Sequence, residues 1–190
     1  FIYYFNMALT KTPICDFGQK AHKFSLKSTE NKMISLNDVK GENGTLIMFI
    51  CNHCPYVLAT IKETVNVCKE LENNGIKSIA IMSNDPKVYS EDSFENMIQF
   101  AKDNQFNFPY VLDETQKIGK SYGAVCTPDF FGYNKNLEMQ YRGRIRELNN
   151  LKPTKNDESE LLIAMKMIAN TGNGPKEQFP SMGCSIKWFN

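Results

Sequence analysis

In Leu46-Ile47-Met48-Phe49-Ile50-Cys51-Asn52-His53-Cys54-Pro55 an apolar run, Leu46 to Ile50, leads directly into two thiols and a proline. Preceded by the loop Gly41 to Gly44, the stretch Thr45 to Ile50 reads as a strand buried on both faces. After Pro55, the residues Leu58, Ile61, Val65, Cys68 and Leu71 recur at steps of three and four, and Asn73-Asn74-Gly75 supplies a stop, so a helix follows. The cysteines therefore sit where a buried strand hands over to a helix N-terminus. Unpaired N–H groups and the helix dipole at that end stabilise a thiolate, and thiols at this spacing can close a reversible disulfide. Proline is favoured at the first helical position, which puts Cys54 at the N-cap. The pattern points to thiol redox chemistry.

Working outward, Ile76 to Met82 reads as a second buried strand. Asp85-Pro86 and Asp92-Ser93 offer helix starts ahead of Phe94, Met97, Ile98 and Ala101. Tyr110 to Leu112 is a short strand, Asp113 an N-cap, and Ile118 with Tyr122 one face of a short helix closed by Gly123. Upstream, Lys23 to Leu26 and Met33 to Leu36 form a hairpin turning near Asn31-Lys32. Downstream, Phe130 to Tyr133 and Glu138 to Arg142 form another across Asn134-Lys135-Asn136. Asn149 to Asp157, with Pro153, reads as a linker to a last helix that buries Leu161, Leu162, Met165, Ile168 and Ala169. The final twenty residues carry no period. The order predicts an α/β fold: a central mixed sheet flanked by helices, with an N-terminal β-hairpin extension.

Composition bounds the function. The 190 residues, 42% hydrophobic and 23% charged, suffice for one substantial core, and the net charge of +1 is scattered. Nucleic acid and membrane surfaces are therefore poor partners. No apolar run approaches the roughly 20 residues that cross a bilayer. Phe1 to Asn6 lacks the parts of a signal peptide, and Met7 resembles a second start, so residues 1–6 read as an extension or processed stub and 7–190 as one domain. Six unevenly spaced cysteines suit a reducing cytoplasm with one reactive site better than a disulfide scaffold, although the periplasm stays open.

Three stretches carry a family resemblance: Phe49 to Val57, Tyr122-Gly123-Ala124-Val125-Cys126-Thr127-Pro128-Asp129-Phe130-Phe131, and Gly183-Cys184-Ser185-Ile186-Lys187-Trp188. A thiol pair at a strand-to-helix junction, with Thr-Pro before a later apolar strand, resembles the thioredoxin fold. The hairpin from Gly18 to Leu36, containing Ala21 to Leu26, resembles that of peroxiredoxins and cytochrome-maturation proteins. Together the motifs resemble the peroxiredoxin-like redoxins (AhpC/TSA-related) over residues 7 to 190. The resemblance implies a cis Pro128 packed beside the cysteines, where an extended substrate would pair with backbone.

Two registers are open for the thiols. In the first, an ordinary thioredoxin pair, Cys51 attacks and Cys54 resolves. In the second, Phe49-Ile50 takes the place of the Phe-Trp that ends the thioredoxin strand, and the attacking thiol is Cys54, as Pro55 also favours. Cys51 then stands where peroxiredoxins carry Thr or Ser, and Thr127-Pro128 where they carry an arginine. Arg142, Arg144 or Arg146 would have to replace that arginine from the following hairpin.

The favoured reading is thiol–disulfide exchange: Cys54 attacks, Cys51 resolves, and His53, placed as in the thioredoxin-fold oxidants, tunes the pair. Pro55, Thr127 and Pro128 support it. The implied partners are a disulfide-bearing protein, or a small thiol or peroxide, together with a thiol electron donor; no cofactor is required. A thiol peroxidase with Cys54 peroxidatic ranks second. A module holding Zn²⁺ or an iron–sulfur cluster through Cys51, Cys54, His53 and Cys126 ranks third. Cys126, two residues before Pro128, and Cys184, near the end, are candidate resolving thiols. Cys68 reads as core and Cys15 as incidental.

Overall fold

The computed structural model describes residues 8–190, so the expectation for residues 1–6 lies outside the described residues. In chain order the elements are β1 (Leu9–Lys11), β2 (Ser25–Ser28), β3 (Met33–Ser35), β4 (Gly44–Phe49), α1 (Pro55–Glu72), β5 (Ile76–Met82), α2 (Phe94–Asp103), β6 (Tyr110–Leu112) and α3 (Lys117–Ser121). There follow β7 (Cys126–Thr127), β8 (Asp129–Asn134), β9 (Met139–Gly143), β10 (Leu148–Asn149), β11 (Lys152–Pro153), α4 (Glu160–Thr171) and β12 (Met182–Ser185). The main sheet runs β3-β2-β6-β5-β4-β8-β9. Its centre, β4 with β5 and β5 with β6, is parallel, and the other pairings are antiparallel. This is the expected thioredoxin-like mixed sheet, with the β2-β3 hairpin on one edge.

Both faces of that sheet are covered, which is why β4 reads as an unbroken apolar run. Leu46 and Met48 point into one layer with Val57, Leu71, Met165 and Ile168, while Ile47 and Phe49 point into the other with Ile79, Phe131 and Tyr133. A Cβ on Gly132 would come within 2.5 Å of Met165 Sδ, so glycine there lets α4 lie close on β8. α4 itself starts at Ser159, buried, whose Oγ accepts from the Leu162 N–H at 3.1 Å. Ser159→Ala should lower stability by about 1 kcal/mol, read as a shifted denaturation midpoint with unchanged slope.

A second, smaller sheet, β1-β12-β7, sits at the end where β4 meets α1. β12 pairs with β7 through Cys184 opposite Thr127 and Ser185 opposite Cys126, and with β1 through Leu9 opposite Cys184. The final residues, without period in the sequence, thus form a strand and an anchored tail, with Trp188 packed on the second layer.

Three further expectations are corrected. Leu58 is half exposed, because α1 buries Val57, Thr60, Ile61 and Thr64, whose threonine hydroxyls bond back to Tyr56 O and Thr60 O. Asp113 is not the N-cap of α3; Gln116 is, and Asp113 reaches over it to accept from the N–H groups of Ile118 and Gly119. The linker from Asn149 contains the tight β10-β11 turn, with Asn150 and Leu151 at φ 47° and 62°.

Candidate active site

The apolar strand β4 delivers Cys51 just past its end, and Pro55 starts α1, leaving Cys54 as N-cap with extended backbone, φ −65° and ψ 123°. The Leu58 N–H bonds the Cys54 carbonyl at 2.9 Å and closes the first turn. Both cysteines are fully buried. Their partners come from the second sheet: Cys54 Sγ lies 3.0 Å from Cys184 Sγ and 3.1 Å from Thr127 O, and Cys51 Sγ lies 3.3 Å from Thr127 Oγ1. The Thr127–Pro128 bond is cis, and Ser181 Oγ donates to Pro128 O at 2.6 Å.

The thiols are unequal. The Cys54 pKa is pulled far below that of an ordinary thiol, first by the hydrogen bond with Cys184, then by that with Cys51, against the pull of burial. The backbone amides of Cys184 and Val57 add to the lowering. The Thr127 carbonyl accepts from a Cys54 thiol but only repels a thiolate, so it opposes part of the shift. Cys184 is raised mainly as donor to Cys54, and Cys51 is raised chiefly by burial. The shifts favour a thiolate on Cys54, at the helix N-terminus, over one on Cys51 or Cys184.

His53 stacks on Tyr89 with ring centroids 4.0 Å apart and lies with Nδ1 2.7 Å from Asp92 Oδ2. The approach is off the N–H direction, so neither ring nitrogen makes a well-formed hydrogen bond. Asp92, fully buried, also accepts from the Asn52 N–H at 2.8 Å and the Asn84 amide at 2.9 Å. It thereby ties the Asn52-His53 loop to the segment after β5. Asp92 was legible only as a helix start; its partners Asn52 and His53 lie some forty residues away in the chain.

Two expected groupings do not form. Cys126 is buried with its sulfur 3.8 Å from Pro128 O, its pKa pushed up first by burial, then by Asp129 and Cys54, and its hydrogen bond goes to that carbonyl rather than to a thiol. The donors drawn together are Cys51, His53 and Asp92, all within 4.8 Å, rather than Cys51, Cys54, His53 and Cys126. Three donors are one fewer than a closed four-ligand site needs. The arginines are engaged elsewhere: Arg142 with Asp129 at 3.0 Å, Arg144 with Glu160 at 2.8 Å, and Arg146 with Glu63 at 2.6 Å. Each is thus held by a carboxylate, while Arg144 and Arg146 also line the groove that includes Tyr56 and Pro128. Cys68 lies buried in the core, as expected, with its thiol pushed up to about 12 by burial.

A thioredoxin-like sheet with a lowered thiol at the N-cap of the helix after its central strand defines a redoxin. The family described as AhpC/TSA matches residues 17–148, and the chain belongs to it. A thiol-disulfide oxidoreductase, ResA, from Bacillus subtilis (strain 168) is 26% identical over 117 residues, 62% of this chain and 61% of that protein. The chain thus spans about three fifths of that relative's length. The crystal structure of an uncharacterised conserved protein from Geobacillus kaustophilus is 36% identical, covers 97% of this chain and 98% of its own, and superposes with a TM-score of 0.88. The thioredoxin domain of a thiol-disulfide oxidoreductase from Bacteroides vulgatus, 16% identical, shares the fold with a TM-score of 0.55 over 66% of this chain and 86% of its own. Its curated relatives include both thiol-disulfide oxidoreductases and a putative peroxiredoxin, from Coxiella burnetii, 26% identical over 62% of this chain and 72% of its own. Among the described residues no helix is long and apolar enough to cross a membrane.

Proposed function

We propose that residues 7–190 form one redoxin domain that catalyses thiol–disulfide exchange, with Cys54 as the attacking thiolate and Cys51 as the resolving thiol. The observation that carries this reading is that Cys54 stands at the N-cap of α1 with Cys184 Sγ 3.0 Å away, where its pKa is lowered while those of Cys51, Cys126 and Cys184 are raised. Its thiolate attacks one sulfur of a substrate disulfide, the S–S bond breaks, and the other sulfur leaves as thiolate and takes up a proton. Cys51 gives up its proton and attacks Cys54 Sγ; the second substrate thiolate leaves, and the protein holds the two-electron disulfide Cys51–Cys54. An external thiol donor in a reducing cytoplasm returns it to the dithiol. His53 and Asp92 hold the loop between the two cysteines in place.

A thiol peroxidase is the second reading. What favours it is that Cys51 and Cys184 both adjoin Cys54, ready to condense with a sulfenic acid formed there. What weighs against it is the engagement of all three arginines in carboxylate pairs.

The test is the pH profile of thiol labelling. Alkylation requires thiolate, so an ordinary thiol slows about tenfold per unit below its pKa. With the Cys54 pKa lowered, its iodoacetamide labelling should stay flat from pH 8 to pH 5, slow but pH-independent, while Cys51, Cys126 and Cys184 stay unlabelled. Peptide mapping that finds Cys51 or Cys184 labelled first would overturn the assignment.

A further inference from the structure

An extended polypeptide binds beside a reactive group most readily by adding a strand to an open sheet edge, where unpaired N–H and C=O groups wait for it. The edge nearest Cys54 is that of β7, whose Thr127 carbonyl touches the sulfur. That edge is taken by the chain itself. β12 pairs with it at Cys184 and Ser185, the pairing continues in Ile186 N–H to Val125 O at 3.0 Å, and β1 covers β12 on its far side. The fit is close: a Cβ on Gly183 would stand 1.9 Å from Thr127 O, so only glycine lets the strand lie this near.

Both ends of β12 are fastened. Before it, Ser181 bonds Pro128 O through its hydroxyl and Thr12 through its backbone. After it, Lys187 O accepts from Asp85 N–H and the Gln116 amide, and Lys187 N–H donates to Asn84 Oδ1. In β12, Cys184 Sγ occupies the point 3.0 Å from Cys54 Sγ that a substrate sulfur would take. Beside the pair opens a groove of about 310 Å³ whose lining includes Tyr56, Pro128, Phe179 and Met182. Met182 is exposed and Tyr56 partly so, and these two lining residues stand two positions from Cys184 and from Cys54 in the chain.

We infer that β12 is a fixed internal occupant of the substrate-strand edge, so that this site reacts with small disulfides entering along the Tyr56–Met182 groove rather than with extended polypeptides. This rests on Cys54 being the exchanging thiol.

The experiment uses the reduced full-length protein and follows oxidation of Cys54 by acid quench, alkylation and mass spectrometry. Oxidised glutathione and insulin, at equal disulfide concentration, are each normalised to their rate with free cysteine. Glutathione disulfide should be favoured at least about tenfold, because insulin forfeits the backbone pairing an open edge would give. An insulin rate equal to or above that of glutathione overturns the inference. In Gly183→Val the added side chain pushes β12 off Thr127, and the preference should shift toward insulin by about fivefold or more. An unchanged ratio in a folded variant removes β12 as its cause, and if the variant does not fold the wild-type ratio decides. Failure of both disulfides to oxidise Cys54 would overturn the exchange reading as well, a result distinct from a reversed ratio.

Discussion

Cys54→Ser should reduce disulfide exchange to the uncatalysed background, while Cys51→Ser should keep the first attack and accumulate mixed disulfide on Cys54. The asymmetry follows from where each sulfur sits. Cys54 takes the N-cap, where helix N–H groups and two neighbouring thiols favour its charge, and a serine hydroxyl there neither ionises at neutral pH nor forms a disulfide. Cys51 is buried, raised in pKa, and bonded to Thr127 Oγ1, so it enters as a nucleophile only after Cys54 has been oxidised and its charge is gone. The measurement is single-turnover reaction with oxidised glutathione, each species identified by intact mass. Mixed disulfide building up in Cys54→Ser, on Cys51, would restore the other register, in which Cys51 attacks.

The double variant Cys51→Ser, Cys184→Ser sharpens the expectation, because two sulfurs adjoin Cys54. With Cys51 alone removed, Cys184 at 3.0 Å remains to displace the substrate, so a slower second phase should release it and leave a Cys54–Cys184 bridge. With both removed, the mixed disulfide should persist.

The strand, the thiols and the helix were legible because their signals are local. An apolar run buried on both faces, a proline at the first helical position and a stop at Asn73-Asn74-Gly75 each act within a few residues. β12 was not legible, because Met182-Gly183-Cys184-Ser185 has no alternation of its own, and what holds it is pairing with β1 and β7, both distant in sequence. Cys184 could therefore be singled out as a late thiol but not placed against Cys54. Asp92 was hidden for the same reason: Ser93, which caps α2 by accepting from Asn96 N–H, explains the local pattern and leaves the carboxylate unassigned. Leu58 misled because the stripe was drawn through aliphatics, while α1 turns Thr60 and Thr64 inward with their hydroxyls satisfied by its own carbonyls.

Arg142→Met should destabilise the protein by about 3–5 kcal/mol at neutral pH, since it leaves a fully buried carboxylate without its cation. Asp129 opens β8 directly after Pro128, and Arg142, opposite Phe131 on β9, reaches back to it, giving Nη2 to Asp129 Oδ2 at 3.0 Å and to Gly123 O at 2.8 Å, with its guanidinium 4.5 Å above the Phe131 ring. Burial raises the Asp129 pKa to about 6 even though Arg142 pulls it down, so without Arg142 it rises further. An unfolded aspartate titrates near about 3.9, so between that value and the folded one the native state holds the extra proton. The stability that protonation supplies is complete below about pH 4 and is lost as pH rises through the folded value. The deficit of Arg142→Met should accordingly be largest above pH 7 and shrink toward pH 4, where Asp129 enters the fold neutral. Urea denaturation at pH 4.5, 6 and 7.5 measures it. Adding Asp129→Asn should recover most of the loss at pH 7.5, because the cost lies in the stranded charge rather than in the absent contact. A deficit that is independent of pH, or that the second substitution does not relieve, would assign Arg142 a packing role instead, through Phe131 and the Gly123 carbonyl.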